Sequence, residues 1–395
     1  FGKKYYESKM DYFYFFIEKA VELLESNGLL IYLTTNYWLR ADSGQILRNT
    51  LKENGFNIEQ NIGGFETAFR ATYTLGNGGP AIGLLCEYDA IENLGHACGH
   101  HMQGPSIIGA AIALKETLQN ENCKIVVYGT PAEETIGGKL QMLNEGCFQD
   151  IDVALMMHGS TTTTTDIKSL ALSNFTIKFH GTSAHAALAP EKGRSALDGI
   201  LLLFQGIEFM REHVKEDTRI HYTITNAGGP ANVVPKYAEA KFSLRSYNRV
   251  YLDSVIERFK KIVHGASLMT ETTYEIIETK SLNNKIPVLK LNDILMDNAK
   301  LVGAPRISPP REKTGSTDFG NLMYVIPGSC IRIAFVPEGT SSHSDEFLNA
   351  GKTTDAHNAI IYASKIVAGT AIDLITCPDN LKAVKDEFLN NKNKI

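Results

Sequence analysis

A buried strand that runs into a polar stretch rich in potential metal ligands constrains this chain more than any other feature. Residues 81–86 are apolar and predict the strand, and the stretch Glu87–His101 follows it directly. An apolar segment of helical length, Ser106–Leu118, comes next. In open α/β sheets, chemistry is placed in such loops at the carboxyl ends of strands. The pattern therefore predicts an α/β fold with a site at the end of this strand.

Several side chains of this loop and of two later strand ends are of the kinds that bind metals. Cys98 and His100 flank a single glycine, which leaves room for a thiolate and an imidazole to reach one cation. Two further apolar segments, residues 124–128 and 152–157, predict strands that end beside more ligands. The candidates are Asp89, Cys98, His100, Glu133, Glu134 and His158. A lone Cys-Gly-His would indicate a buried thiol and solvated histidines, but candidates at three strand ends favour a metal site.

Composition sets the broad class of the chain. Its 395 residues are long for a single core and predict two domains. A net charge of −5 without a long basic run argues against binding to nucleic acid. No apolar segment is expected to approach the length of a membrane span, so no membrane partner is predicted. The six cysteines are scattered without a disulfide framework, which favours a reducing, cytoplasmic location.

A second structural unit is predicted to begin near Ser169. Its segments read in the order β-α-β-β-α-β, which is typical of a ferredoxin-like α+β fold. The predicted elements are Asn174–His180, Ala196–Val214, His221–Asn226, Tyr237–Arg245, Leu252–Val263 and Thr272–Glu278. We predict a lid domain at 169–280, inserted into a catalytic domain formed by 51–168 and 281–395.

The first residues have a different character. Residues 9–16 and 34–39 resemble a piece of the adenine-specific DNA methyltransferases of restriction-modification systems. The resemblance covers about the first 45 residues, and the Asn-Pro-Pro-Tyr loop and the glycine-rich cofactor loop of that family are absent. Methyl transfer is therefore not expected, and residues 1–50 are interpreted as a fused N-terminal segment.

From about Leu51 onward, seven motifs occur in the order found in one enzyme family. They are Glu87-Tyr-Asp-Ala, Gly95-His-Ala-Cys-Gly-His100, Pro131-Ala-Glu-Glu134, Gly181-Thr-Ser-Ala-His-Ala-Ala187, Asn232-Val-Val-Pro235, Gly315-Ser-Thr-Asp318 and His343-Ser. This part of the chain resembles the dinuclear metallo-amidohydrolases, the aminoacylase and carboxypeptidase relatives that include auxin-conjugate and p-aminobenzoyl-glutamate hydrolases. The resemblance implies a mixed-sheet catalytic domain with an inserted ferredoxin-like lid and dimerisation domain.

The resemblance also implies a metal centre. Two divalent cations, zinc or manganese, would be bound by Cys98, His100, Glu134, His158 and His343. Glu133 falls at the position of the general base, and Asp89 at that of a residue orienting a ligand imidazole. Glu87 stands where more distant relatives carry a metal-binding histidine, and it is not expected to bind the metal. His101 also departs from the Asp or Asn of many relatives.

Three residues of the lid are implied in substrate binding. In relatives, the histidine at the position of His185 crosses from the partner subunit to stabilise the oxyanion. Asn232 and Arg245 would contact the carbonyl and the carboxylate of the substrate. For Arg245, an edge-strand charge in solvent is an equally acceptable interpretation.

These implications converge on one function. We expect a metal-dependent hydrolase of an amide bond in a dipeptide or an N-acyl amino acid, and a homodimer formed through the lids. The alternative is a non-catalytic metal-binding fusion product or pseudo-enzyme, because the foreign N-terminal segment replaces the helices with which relatives begin.

Overall fold

The computed structural model describes residue 52 and residues 55–394. The helix and strand expected within residues 11–35 lie outside the described residues. The described chain divides into two compact units. Unit 1 contains residues 55–168, 286–314 and 321–394, and unit 2 contains Ser169–Lys285 and Gly315–Gly320.

Strands and helices alternate through most of the described chain. The strands are β1 (Asn57–Gln60), β2 (Phe69–Leu75), β3 (Ala81–Glu87), β4 (Cys123–Thr130), β5 (Val153–Ser160), β6 (Ala171–His180), β7 (Arg219–Asn226), β8 (Tyr237–Ser246), β9 (Thr273–Leu282) and β10 (Gly328–Ala334). The helices are α1 (Gln103–Thr117), α2 (Gly138–Asn144), α3 (Ala196–Arg211), α4 (Arg249–Thr270), α5 (Leu289–Leu301), α6 (Phe319–Leu322), α7 (Asp345–Ala350), α8 (Thr354–Thr376) and α9 (Pro378–Lys392). Short 3-10 turns occur at His100–Met102 and Pro190–Lys192.

Unit 1 is built on a mixed sheet with the strand order β1-β2-β4-β3-β5-β10. Strands β4, β3, β5 and β10 run parallel, and β2 and β1 are antiparallel additions. All residues of β3 are buried, as expected for a central strand of a parallel sheet covered on both faces. The predicted mixed α/β fold is confirmed.

Two details of the sequence interpretation are wrong. The strand expected after Gly63 was predicted to lie at an edge, but β2 lies between β1 and β4. The turn at 76–80 is not a hairpin, because β2 pairs with β4 rather than with β3. Alternation of polar and apolar residues reports how a strand's faces are buried, and it does not report which distant strand pairs beside it.

Helix α8 also corrects a sequence expectation. Its length and apolar composition are sufficient to cross a membrane, although no segment was expected to approach that length. Within unit 1 it packs against α1, α5, β5 and β10, and 61% of its most apolar window is buried. The apolar composition of α8 is therefore accounted for by core packing.

Unit 2 has the predicted β-α-β-β-α-β order, with an antiparallel sheet ordered β7-β8-β6-β9. Helices α3 and α4 cover one face, where Phe175, Phe242 and Phe259 form an aromatic cluster. The ferredoxin-like prediction is confirmed. Because β9 extends to Leu282, unit 2 ends at Lys285, and it also includes residues 315–320.

Candidate metal centre and active site

The parallel strands of unit 1 bring three polar loops to one edge of the sheet. β3, β4 and β5 are neighbours and run in the same direction, so their carboxyl ends lie together. After β3 the chain turns through Gly95 and Gly99, which have φ angles of 74° and 84°. Glycine adopts this left-handed conformation at little cost. Gly99 thus lets Cys98 and the 3-10 turn that begins at His100 follow one another closely.

The turn after β4 directs two adjacent carboxylates toward the same place. Adjacent side chains of an extended segment point to opposite sides, but Ala132 has a φ of 62° and breaks the extended conformation. The carbonyl of Ala132 accepts hydrogen bonds from the amides of Gly137 and Gly138. Ligand atoms of Glu133, Glu134 and His100 consequently lie within 4.8 Å of one another.

His158 lies inside β5, two residues before its end, rather than after the strand as predicted. Its Nδ1 is 2.8 Å from the carbonyl oxygen of Gly159, to which only a protonated Nδ1 can donate. This leaves the Nε2 lone pair toward Cys98, whose Sγ is 3.6 Å away. Burial, with the nearby charge of Arg332, lowers the pKa of His158 to about 3, so its imidazole is neutral.

His343 comes from the loop before α7. It has a φ of 64°, and its amide donates to the carbonyl of Ala97. Its Nε2 is 3.6 Å from Oε1 of Glu134. One group of ligand atoms within 4.8 Å comprises Cys98, His100 and His158, and another comprises Cys98, Glu134 and His343. The five side chains predicted as ligands are therefore together, with Cys98 common to both groups.

Asp89 connects two of the loops. Its Oδ1 is 3.2 Å from Nδ1 of His100, and its Oδ2 accepts a hydrogen bond from the backbone amide of Glu134 at 2.9 Å. Burial would raise the pKa of Asp89, but its hydrogen bond and ion pair with His100 lower it. An ionised Asp89 can therefore hold the imidazole and the Glu134 backbone in fixed positions.

A buried charged network beneath His100 was missed by the sequence interpretation. Oε1 of Glu87 is 2.5 Å from Nζ of Lys139, and Oε2 accepts from the side chain of Gln103 and lies 3.2 Å from Nε2 of His100. Burial would raise the pKa of Glu87, but the charges of Lys139 and His100 hold it well below its usual range. Lysine and glutamine in these helices carry no sequence signal that separates them from surface residues.

The side chains fit divalent cations. Thiolate, imidazole and carboxylate together suit zinc, and most of them suit manganese. Oε1 of Glu134 is buried and has no hydrogen-bond partner within the described part of the chain. Burial raises the pKa of the Cys98 thiol to about 11, so a thiolate at neutral pH requires a neighbouring cation.

His100 is the one residue whose surroundings differ from those of a simple ligand. Burial would lower its pKa, but Glu87 and Asp89 outweigh burial and raise it well above the usual value. Both ring nitrogens therefore face carboxylates as donors. Binding of a cation at Nε2 requires loss of that proton, so metal binding at this site releases protons.

The three lid residues of the sequence prediction lie in unit 2 and fall into two places. His185 pairs with Val233, and the amide of Ala186 donates to the carbonyl of Asn232, so His185 and Asn232 are neighbours and both are exposed. Arg245 donates to Oγ of Ser316 at 3.2 Å. His185 and Asn232 flank the end of the sheet at which His180 pairs with Tyr237, whereas Arg245 lies near the other end of β8, roughly 27 Å along the strand.

Known proteins show the same combination of units. Residues 169–268 match the M20 peptidase dimerisation domain. Over 338 residues, the chain is 32% identical to a Xaa-Arg dipeptidase from Mus musculus, covering 82% of this chain and 78% of that protein. This chain belongs to the M20 peptidase family. It is also 30% identical to one of the two p-aminobenzoyl-glutamate hydrolase subunits from Escherichia coli, over 84% of each chain.

Solved structures of M20-type proteins share the fold. An aminobenzoyl-glutamate utilization protein from Klebsiella pneumoniae superposes with a TM-score of 0.65 at 20% identity, covering 92% of this chain and 95% of that one. A dinuclear metal-binding peptidase of the M20 family from Bacillus subtilis also gives 0.65, at 19% identity, covering 84% of this chain and 91% of that one. Because its relatives are hydrolases, this M20 chain is a hydrolase rather than a non-catalytic relic.

The N-terminal resemblance is confirmed as well. Residues 1–62 match the Eco57I restriction-modification methylase family, which extends somewhat further than the 45 residues expected. Most of this match lies outside the described residues. The M20 portion thus follows a methylase-like segment in the same chain.

Proposed function

We propose that this M20 hydrolase cleaves the amide bond of a dipeptide or an N-acyl amino acid with a free carboxylate, in a metal-dependent reaction. The observation that carries the proposal is the gathering of thiol, imidazole and carboxylate ligands from separate loops of unit 1. Relatives named Xaa-Arg dipeptidase, p-aminobenzoyl-glutamate hydrolase and N-acetyl-L-cysteine deacetylase support the substrate class.

Two divalent cations, zinc or manganese, would be held by Cys98, His100, Glu134, His158 and His343. When bound, they acidify the attacking water and polarise the amide carbonyl. Glu133 accepts the proton of that water and passes it to the leaving nitrogen. The location of its carboxylate, in one group with His100 and Glu134, supports this role. Asp89 positions His100 and the Glu134 backbone.

Unit 2 would act as the lid and would form a homodimer. Leu201 and Phe209 of α3 are 52% and 68% exposed, and β7 is an edge strand, which supports association through this unit. His185 would stabilise the oxyanion, Asn232 the carbonyl and Arg245 the carboxylate. Their separation along the sheet supports a site that takes His185 and Asn232 from one subunit and Arg245 from the other.

The domain roles and the location follow from the same proposal. Unit 1 would be the catalytic domain, and the six cysteines are all unpaired, which supports a reducing compartment such as the cytoplasm.

A substrate panel tests the proposal. The full chain, supplied with zinc or manganese, is assayed against N-acyl amino acids and dipeptides, with the corresponding methyl esters as controls for the free carboxylate. We expect cleavage of at least one free acid and much weaker cleavage of its ester. Loss of all cleavage with both cations, in a folded protein, would contradict the proposal.

A further inference from the structure

Two arginines face each other on the unit 2 sheet. The strand register pairs Arg219 of β7 with Arg245 of β8. Their neighbours Ile220 and Leu244 are buried in the core beneath α3 and α4. Because side chains alternate along a strand, Arg219 and Arg245 both project from the opposite, polar face. The Cβ atoms of directly opposed residues in antiparallel strands lie about 5 Å apart, so both guanidinium groups can reach one ligand.

Neither arginine has a carboxylate partner among the residues that the structure describes. Arg219 donates to the backbone carbonyls of Glu216 and Thr218, and Arg245 donates to Oγ of Ser316. Asp217, the nearest acid along the chain, instead accepts from the hydroxyl of Ser246 and the amide of Tyr247.

The other acids of this face lie toward the far end of the sheet. Glu239 accepts hydrogen bonds from Tyr237 and Thr225, and Glu275 pairs with His180. Glu239 is roughly 20 Å from Arg245 along β8 at the usual rise of a strand. The end of the face that carries Arg219 and Arg245 therefore has unneutralised positive charge.

Such a pair is costly unless an anion occupies the space between the two groups. Like charges placed directly opposite on neighbouring strands destabilise a sheet. Arg245 is also partly desolvated, since burial lowers its pKa without a compensating acid. Guanidinium groups bind carboxylates through two parallel hydrogen bonds, so two arginines suit a ligand with two carboxylates.

We propose that Arg219 acts with Arg245 to bind the two carboxylates of a dicarboxylic amino acid, which makes the enzyme selective for N-acyl-glutamate or N-acyl-aspartate substrates. Arg245 takes the α-carboxylate and Arg219 takes the side-chain carboxylate. The inference rests on the proposed function and names its substrate class. It separates the relatives: p-aminobenzoyl-glutamate and indole-3-acetyl-aspartic acid have the matching charge, whereas a Xaa-Arg dipeptide presents a cation to the pair.

Binding is tested by calorimetry on the full chain, with N-acetyl-L-glutamate and the nearly isosteric N-acetyl-L-glutamine as probes. We expect the wild type to bind the glutamate roughly 10- to 100-fold more tightly, as for charge-assisted hydrogen bonds. Arg219→Gln should remove that preference and leave binding of the glutamine unchanged, and Arg219→Lys should restore part of it. Arg258→Gln is the matched control, because Arg258 also donates to a backbone carbonyl in unit 2 but lies on α4.

Hydrolysis separates this inference from the proposed function. Cleavage of both acyl amino acids at equal rates overturns the selectivity and leaves the hydrolase intact. Absence of cleavage with retained preference for glutamate in calorimetry overturns the hydrolase and leaves the binding site. If Arg219→Gln weakens dimerisation in sedimentation equilibrium without altering the preference, Arg219 is an interface residue and the inference is wrong.

Discussion

Glu133 and Glu134 are adjacent in the sequence, yet the site requires different properties of their carboxylates. Glu134 must remain an anionic ligand, whereas Glu133 must gain and lose a proton. We expect Glu133→Gln to lower kcat by about 10²- to 10⁴-fold, because a general base is removed, and to keep its metal content. Glu134→Gln should lose metal as well as activity. Rate measurements combined with elemental analysis separate the two, and normal turnover by Glu133→Gln would contradict the assignment.

The ion pair of Lys139 and Glu87 is a stability prediction at the same scale. Both side chains are almost completely buried, and replacing Lys139 with Met leaves the carboxylate of Glu87 without its counter-charge. Breaking such a pair costs about 3–5 kcal/mol, so urea unfolding of Lys139→Met should show a comparable loss. Lys300→Met is the control, since the exposed pair of Lys300 and Asp297 should contribute less than about 1 kcal/mol. Equal losses in the two variants would refute the claim.

At this scale the sequence identified the ligands but not their surroundings. Cys98, His100 and Glu134 follow predicted strands, and parallel strands bring their carboxyl ends together. Lys139 and Gln103 were missed, because a buried lysine is recognised only when its partner, 52 residues away, is known to be adjacent. The conformation of Ala132 was likewise invisible, although convergence of the two glutamates at a strand-end turn was foreseen.

Among the elements, the turn between β4 and α2 depends most on one residue. A Cβ added to Gly138 would lie 1.9 Å from the carbonyl oxygen of Pro131. Gly138→Ala must therefore displace the turn that carries Glu133 and Glu134, and we expect severe loss of activity and of metal affinity. Gly265→Ala is the control: its added Cβ meets nothing within 4 Å, and replacing a helical glycine should stabilise by up to about 1 kcal/mol. Unchanged kinetics in Gly138→Ala would show that the turn tolerates movement.

Elements with a strong local pattern were predictable, and long-range pairing was not. The continuous apolar run of β3 and the alternation of β6 and β8 gave these strands to within a few residues. The internal place of β2 depends on β1, a strand of only four residues, and no local pattern reveals that pairing. Burial of α8 is also a property of the packed molecule rather than of its composition.

For the whole molecule, the separation of His185 from Arg245 gives a prediction about subunit mixing. If each site combines the two residues from different subunits, a mixed dimer of His185→Ala and Arg245→Gln has one intact site and one doubly defective site. Random reassociation of the two inactive variants should then restore roughly one quarter of wild-type activity, because half of the dimers are mixed. Each variant reassociated alone is the control. No recovery despite exchange, followed by sedimentation, would place both residues in the same subunit's site.

The account depends above all on cations held by the loops of unit 1, and a metal titration tests this most directly. The protein is stripped with a chelator, zinc or manganese is added in steps, and bound metal and amide hydrolysis are measured together. We predict no hydrolysis in the stripped protein and a rise to a plateau at about two cations per chain, with less metal bound by Cys98→Ser. Full hydrolysis by a stripped protein that contains no detectable metal would contradict the account.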